Sequence, residues 1–188
     1  MKSFKDFVGH VKQNPGRLSY GTTGSGSAAH LTMELFKADA KVFIVHIPYR
    51  GFPQAVTDML AGNIQAMFAI IPGMLPHIKA GKMTPLAVTA LKRSELLPEV
   101  PSVSELGFPQ LESLAWIGLL VPAKTPQDVV DRLSAEARKA LGAQDSRKIL
   151  TNAGFDVAGT TPAEFRAWQQ AEIAKWGKVI RATGAKPD

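Results

Sequence analysis

The apolar residues of this chain change rhythm repeatedly, and the changes predict its elements. Phe4, Phe7, Val8 and Val11 share one helical stripe, with Ser3 and Asp6 spaced like a capping box ahead of it. Residues 18–21 read as a strand, after which Ala28, Leu31, Thr32 and Leu35 mark a helical face. Residues 42–47 predict a second strand. Val56, Met59 and Leu60 predict a helix that Gly62 ends, and residues 64–71 predict a third strand. Pro72 opens a further helix closed by Gly81, and residues 86–90 read as a fourth strand. This alternation predicts an α/β fold with right-handed crossovers and a mainly parallel sheet.

The pattern then shifts. Pro98, Pro101 and Pro109 punctuate residues 92–109, with a short capped turn at Ser102 and Glu105, which predicts an irregular surface connection. Residues 114–121 form the longest strand-like run, ending at Pro122, where the chain is expected to leave one lobe for another. Beyond it the rhythm is helical. Thr125, Pro126 and Asp128 read as a cap, a first-turn proline and an acidic first turn, followed by Val129, Val130, Leu133, Ala137, Ala140 and Leu141. Thr161, Pro162 and Glu164 repeat the formula ahead of a last helix bearing Phe165, Trp168, Trp176 and Val179.

Composition narrows the class. With 45% hydrophobic and 20% charged residues the chain can build a real core, which argues against disorder. Its 188 residues include no cysteine, excluding disulfide staples and cysteine-ligated metal. Lys+Arg 22 against Asp+Glu 16 gives a net charge of +6, compatible with an anionic ligand or nucleic acid. No apolar run reaches the roughly 18 residues of a membrane span. Met1, Lys2 and Ser3 lead straight into the first helix without a signal sequence, so the chain is expected to be cytoplasmic if Met1 is the true start.

The densest candidate chemistry lies at Gly21, Thr22, Thr23, Gly24, Ser25, Gly26 and Ser27, between a strand and a helix. Glycines permit positive φ and close ligand approach, hydroxyls can donate, and the free amides of a helix start favour a carboxylate or phosphate. The bland alternative is an ordinary strand-to-helix loop with a serine cap. Known fingerprints fit poorly. Residues 24–29 match G-x-G-x-x-A, but the expected acidic residue is missing where the next strand ends, at His46 and Ile47. No lysine follows as in a P-loop, and neither serine stands in G-x-S-x-G.

Tyr49, Arg50 and Gly51 follow the second strand, so they are expected on the same rim. Tyr49 offers a wall and a hydroxyl, and Arg50 a fork for a carboxylate, against the alternative of packing and a solvated charge. The third strand ends around Ala69 with no polar side chain, leaving only backbone or an apolar wall. His10, His30, His46 and His77 lack metal-ligand spacing and read as surface or packing residues. Trp116 reads as core, and Trp168 and Trp176 as helix-face packing. No cofactor is implied. No acid–base pair, activated nucleophile or metal cluster emerges, which favours binding over catalysis.

At these residues the chain resembles the substrate-binding receptors of tripartite tricarboxylate transporters, the Bug receptor family. Residues 14–21, 24–31, 34–36 and 46–51 carry the likeness, with 76–82, 86–89, 93–94, 97–103, 121–126 and the tail 165–188. The resemblance runs end to end. It implies a periplasmic-binding-protein-like (Venus flytrap) α/β fold that grips small organic carboxylates between two lobes. It also implies membrane transporter subunits as partners, and a periplasmic location. By carry-over, residues 21–27 and 49–51 are one lobe's share of the cleft.

Two departures accompany the likeness. The family usually has an aspartate where this chain has Ala69, so a ligand ammonium or hydroxyl loses an acceptor there. Family members also begin with a signal peptide and the opening half of the first lobe, with a Pro/Gly-rich ligand loop. By this reading the chain holds an N-terminal helix from the inter-lobe connection (1–16), one complete lobe (17–120) and the helical part of the other, incomplete lobe (121–188). Helices left without their sheet predict homo-oligomers, a swapped assembly or a rearranged C-terminal region. The competing functions are a nucleotide-phosphate-binding enzyme using residues 21–27 and a nucleic-acid binder. The scattered basic residues and missing recognition motif argue against nucleic acid.

Overall fold

The Ser3 hydroxyl accepts from the Asp6 amide at 3.1 Å and starts α1 (Phe4–Gln13), whose apolar stripe buries Phe4, Phe7 and Val11. A computed structural model describes residues 1–186 of the chain; Pro187 and Asp188, the end of the family-like tail, lie outside the described residues. The chain forms two units, one of Met1–Ala115 with the residues from Trp176 onward, the other Trp116–Lys175.

In the first unit β1 (Ser19–Thr22) leads through the glycine loop into α2 (Ala28–Ala40), capped by Ser27 and ended by Lys41 in the left-handed region at φ 52°. There follow β2 (Val45–Pro48), α3 (Phe52–Ala61) with Gly62 at φ 82° closing it, β3 (Ala66–Met67) and α4 (Ile71–Lys79). The sheet is parallel, in the order β2-β1-β3, with Ser19 beside Val45 and Tyr20 beside Ala66. Phe36 of α2 meets Phe4 edge-on, at 5.7 Å between ring centroids, and stacks on Phe7. Tyr20, Ile44, Val103 and Leu111 complete this core. Each such large side chain stabilises the fold by about 1.5–3 kcal/mol through burial. Val88, Leu97 and Val100 form a smaller cluster against α4.

Several expected strands shrink or vanish. The second begins at Val45 rather than at residue 42, because the Val42 amide is held by the Lys37 carbonyl at the end of α2. The third spans two residues rather than eight, since only Ala66 and Met67 find partners on β1, and α4 has begun by Ile71. Residues 86–90 are not a strand; they make one parallel bridge, Val88 with Ser102. Residues 114–121 have no regular structure and are exposed, with Ile117 83% accessible, because no strand pairs with them among the described residues. A strand exists only where its amides and carbonyls find a neighbour.

In the second unit α5 (Gln127–Gly142) and α6 (Gln144–Asn152) bury no residue. The expected Thr125 cap makes no side-chain cap bond, and Pro126 occupies the cap position of α5. The second capping formula holds: Thr161 and Glu164 exchange bonds of 2.8 and 3.3 Å at the start of α7 (Pro162–Thr183). Trp116, expected in a core, is 47% exposed and packs edge-on against Phe165 and Trp168.

Candidate functional site

Parallel pairing places the carboxyl ends of β1, β2 and β3 on one rim, with Thr22 beside Pro48 and Gly21 beside Met67. The ends of these strands and the loops leaving them carry all the candidate residues: Gly21 and Thr22 at the end of β1 and 23–27 after it, Tyr49, Arg50 and Gly51 after β2, and Ala69 after β3. Strand ends of this kind are where open α/β sheets meet ligands.

Glycine is required in the first loop for two different reasons. Gly24 and Gly26 have φ of 119° and 77°, in the region where a side chain is strained. Gly21 lies in the strand and is small for lack of space: a Cβ there would collide with Ile64 and come within 3.2 Å of the Tyr49 ring. Tyr49 therefore lies against the base of the glycine loop, and its amide donates to the Thr22 carbonyl at 3.0 Å. The two loops form one surface.

Part of the expected donor set is already committed. Thr22 is 2% exposed, and its hydroxyl bonds His46 Nε2 at 2.7 Å and the Gly24 backbone. The Gly26 amide donates to His30 Nδ1 at 2.9 Å, and the Ser27 hydroxyl accepts the His30 amide at 3.3 Å. Thr22 and Ser27 thus shape the loop with their side chains. The amides of Ala28 and Ala29 precede the first intrahelical bond of α2 and lie beyond the Ser27 cap. Thr23 and Arg50 are exposed, and Arg50 has no ion-pair partner among the described residues. Gly51 caps α3 in extended backbone without a side-chain bond. Ala69 is exposed and presents only a methyl group and backbone.

The Tyr49 hydroxyl donates to Asp58 at 2.7 Å; burial and this bond push its phenol up to about 12. The same bond, with one from Asn63, holds the Asp58 carboxyl below the ordinary range. The Tyr49 hydroxyl is therefore occupied, and its contribution to the rim is the ring.

Behind the loop lies a cluster the sequence pattern did not reveal. His30 and His46 stack face to face, centroids 4.1 Å apart and planes 8° from parallel, and Tyr20 stacks on His46 at 4.9 Å. Glu34 Oε1 accepts from the Tyr20 hydroxyl at 2.7 Å and from Lys37 at 2.6 Å, and lies 3.8 Å from His30 Nε2. Burial alone would raise the Glu34 carboxyl, but the bonds from Lys37 and Tyr20 outweigh it and hold it below the ordinary range. Burial, reinforced by Glu34, pushes the Tyr20 phenol well above its ordinary value. The i, i+4 spacing of His30 and Glu34 was a local signal, but the stacking partner comes from β2. A cavity of about 480 Å³ lined by Lys12, Lys37, Lys41 and Phe43, among others, lies where the chain enters β1 and β2, and includes none of the rim residues.

Comparison with known proteins adds to this geometry. The chain matches the family described as TctC, tripartite tricarboxylate transporter family receptor, over residues 1–185. It is 38% identical over 171 residues to the UPF0065 protein of the tcbD–tcbE intergenic region of Pseudomonas sp. strain P51, covering 90% of this chain and 51% of that one. It is similar to R. palustris Rpa4515 with adipate, at 32% identity and a TM-score of 0.88, covering 100% of this chain and 63% of the other. It is also similar to MatC of Rhodopseudomonas palustris with bound malate, at 28% identity and a TM-score of 0.81, covering 95% and 62%. Other solved structures of this fold include a periplasmic binding protein. The fold is thus that of periplasmic solute-binding proteins, and the chain spans about half the length of the first of these relatives and under two thirds of the two ligand-bound chains.

Proposed function

From the premise that the chain belongs to the tripartite tricarboxylate transporter receptor family, we propose that it binds a small organic carboxylate at the rim formed by residues 21–27, 49–51 and 69. The observation that carries this reading is the convergence of the glycine loop, the start of α2 and the unpaired, exposed Arg50 on one end of the sheet. Backbone amides would take one carboxylate oxygen and the Arg50 fork another. The Tyr49 ring would wall the site. Adipate and malate, held by two proteins of the same fold, are ligands of this class.

The role that follows is a receptor in the periplasm that passes its carboxylate to the membrane components of a tripartite tricarboxylate-type transporter. The family is one of receptors, and the hydroxyl–imidazole pair at the rim, Thr22 with His46 Nε2 at 2.7 Å, is shut away from a substrate, with Thr22 only 2% exposed. The chain would consist of a helix from the inter-lobe connection, a complete lobe that carries the rim, and helices of a second lobe.

Calorimetric titration with adipate and malate tests the proposal. Binding is expected, and Arg50→Ala should weaken it by roughly tenfold, the loss of a charge-assisted bond, without moving the denaturation midpoint. Absence of binding to any carboxylate, with thermal protection by nucleotides instead, would reverse the reading.

A further inference from the structure

Resting on the reading that the glycine loop receives a carboxylate, we infer that His30 is a positioning residue for that loop, and that it acts only while its Nδ1 carries no proton. His30 closes the loop from both sides. Its backbone amide is taken by the Ser27 hydroxyl at 3.3 Å, and its Nδ1 accepts the Gly26 amide at 2.9 Å. Gly26 sits at φ 77°, a region open to glycine without strain, so the bond its amide makes fixes where the loop settles. The side chain doing so is 8% exposed. The second left-handed glycine, Gly24, is tied in the same manner one step further on, through Thr22 Oγ1 to His46 Nε2. The two imidazoles are stacked on each other, one bonded to the Gly26 amide and the other to the Thr22 hydroxyl that Gly24 contacts.

The protonation state of His30 follows from its partners. An Nδ1 that accepts an amide proton leaves the ring's own proton on Nε2, which faces Glu34 at 3.8 Å. The titratable or charged groups around the pair include Glu34 and Lys37 from α2, Tyr20 from β1, and each ring toward the other. Glu34 is already shared by Lys37 and Tyr20. A proton added at Nδ1 sets two donors against each other across 2.9 Å and releases the Gly26 amide. It also places a positive ring face to face with His46, at 4.1 Å. A proton at Nδ1 should therefore loosen the loop.

The test follows the Gly26 amide in ¹H–¹⁵N spectra of the whole chain as the pH is lowered from about 8 to about 5. Adipate affinity is measured by calorimetry at each end. The Gly26 resonance should move in step with the carbon-bound ring protons of His30, and adipate affinity should fall about fivefold, the worth of one hydrogen bond. His30→Asn keeps an acceptor near the Nδ1 position and cannot titrate there, so its Gly26 resonance and its affinity should lose that step. A merely structural histidine would change stability on replacement without tying this amide to pH. The inference is overturned if Gly26 stays still while His30 titrates, if it moves equally in His30→Asn, or if it moves while adipate affinity is unchanged. Should His30→Asn fail to fold, the wild-type resonances decide alone. If the wild type binds neither adipate nor any other carboxylate near pH 8, the carboxylate reading fails, and the Gly26 amide still decides the role of His30.

Discussion

The two units of this chain draw on the same sequence devices with opposite results. In the first, amphipathic helices close on a parallel sheet: α1 and α2 bury Phe4, Phe7, Val11, Met33 and Phe36, and the strand between them buries Tyr20 completely. In the second, α5 and α6 are amphipathic too and form, yet no residue of either is buried, and Leu133 and Ile149 are 42% and 68% exposed. Periodicity makes a helix; a neighbour of matching shape makes a core. The aromatic trio of Trp116, Phe165 and Trp168 is the nearest the second unit comes to a core of its own.

The sharpest way to break this contrast is a matched pair of truncations. Phe36→Ala, at a site 1% exposed among three other aromatic rings, should cost about 3–5 kcal/mol in urea denaturation. Leu133→Ala on α5 should stay within about 0.5 kcal/mol. Equal costs would show that α5 is packed in solution.

Tyr20→Phe comes next. It removes the hydroxyl that Glu34 accepts inside the first unit and leaves that carboxylate to Lys37, at an expected cost of about 1–3 kcal/mol in the same assay.

A smaller effect separates two of the capping boxes, Ser102 with Glu105 in the first unit and Thr161 with Glu164 in the second. The Arg93 fork, with the Ser102 amide, holds Glu105 down at about 2 from the usual 4.5. Glu164 is lowered by the Thr161 amide and hydroxyl, without an arginine fork. A depressed carboxyl contributes stability above its unfolded value and loses it as pH falls through its folded one. The denaturation midpoint should thus decline between about pH 4.5 and pH 2. Glu105→Gln should flatten that decline more than Glu164→Gln does.

The smallest expected change in stability belongs to Ile117→Asp. Ile117 is 83% exposed in the unpaired run 114–121, so the midpoint should stay within about 0.5 kcal/mol. Binding of an apolar dye and concentration-dependent association in gel filtration should drop. A large loss of stability would mean that the run is covered in solution.

Much of this was legible before any fold was considered. Ser3 and Thr161 announced their helices because a cap is a local bond, and Gly62 ended one because only local φ is at issue. The glycine loop stood out because Gly24 and Gly26 answer to their own backbone. What failed was non-local. Residues 114–121 have the composition of a strand, but pairing is a property of two segments, and so the run lies open. His30 and His46 read as unremarkable single residues, sixteen positions apart in the chain, and only parallel pairing of β1 with β2 and the packing of α2 stacks them under the loop. The sequence by itself determined the helix starts at Ser3 and Thr161, the glycine turn and the family. Tertiary structure alone decided which apolar faces are buried, and that the turn is held from behind by two rings, because burial and stacking depend on partners that local chemistry cannot name.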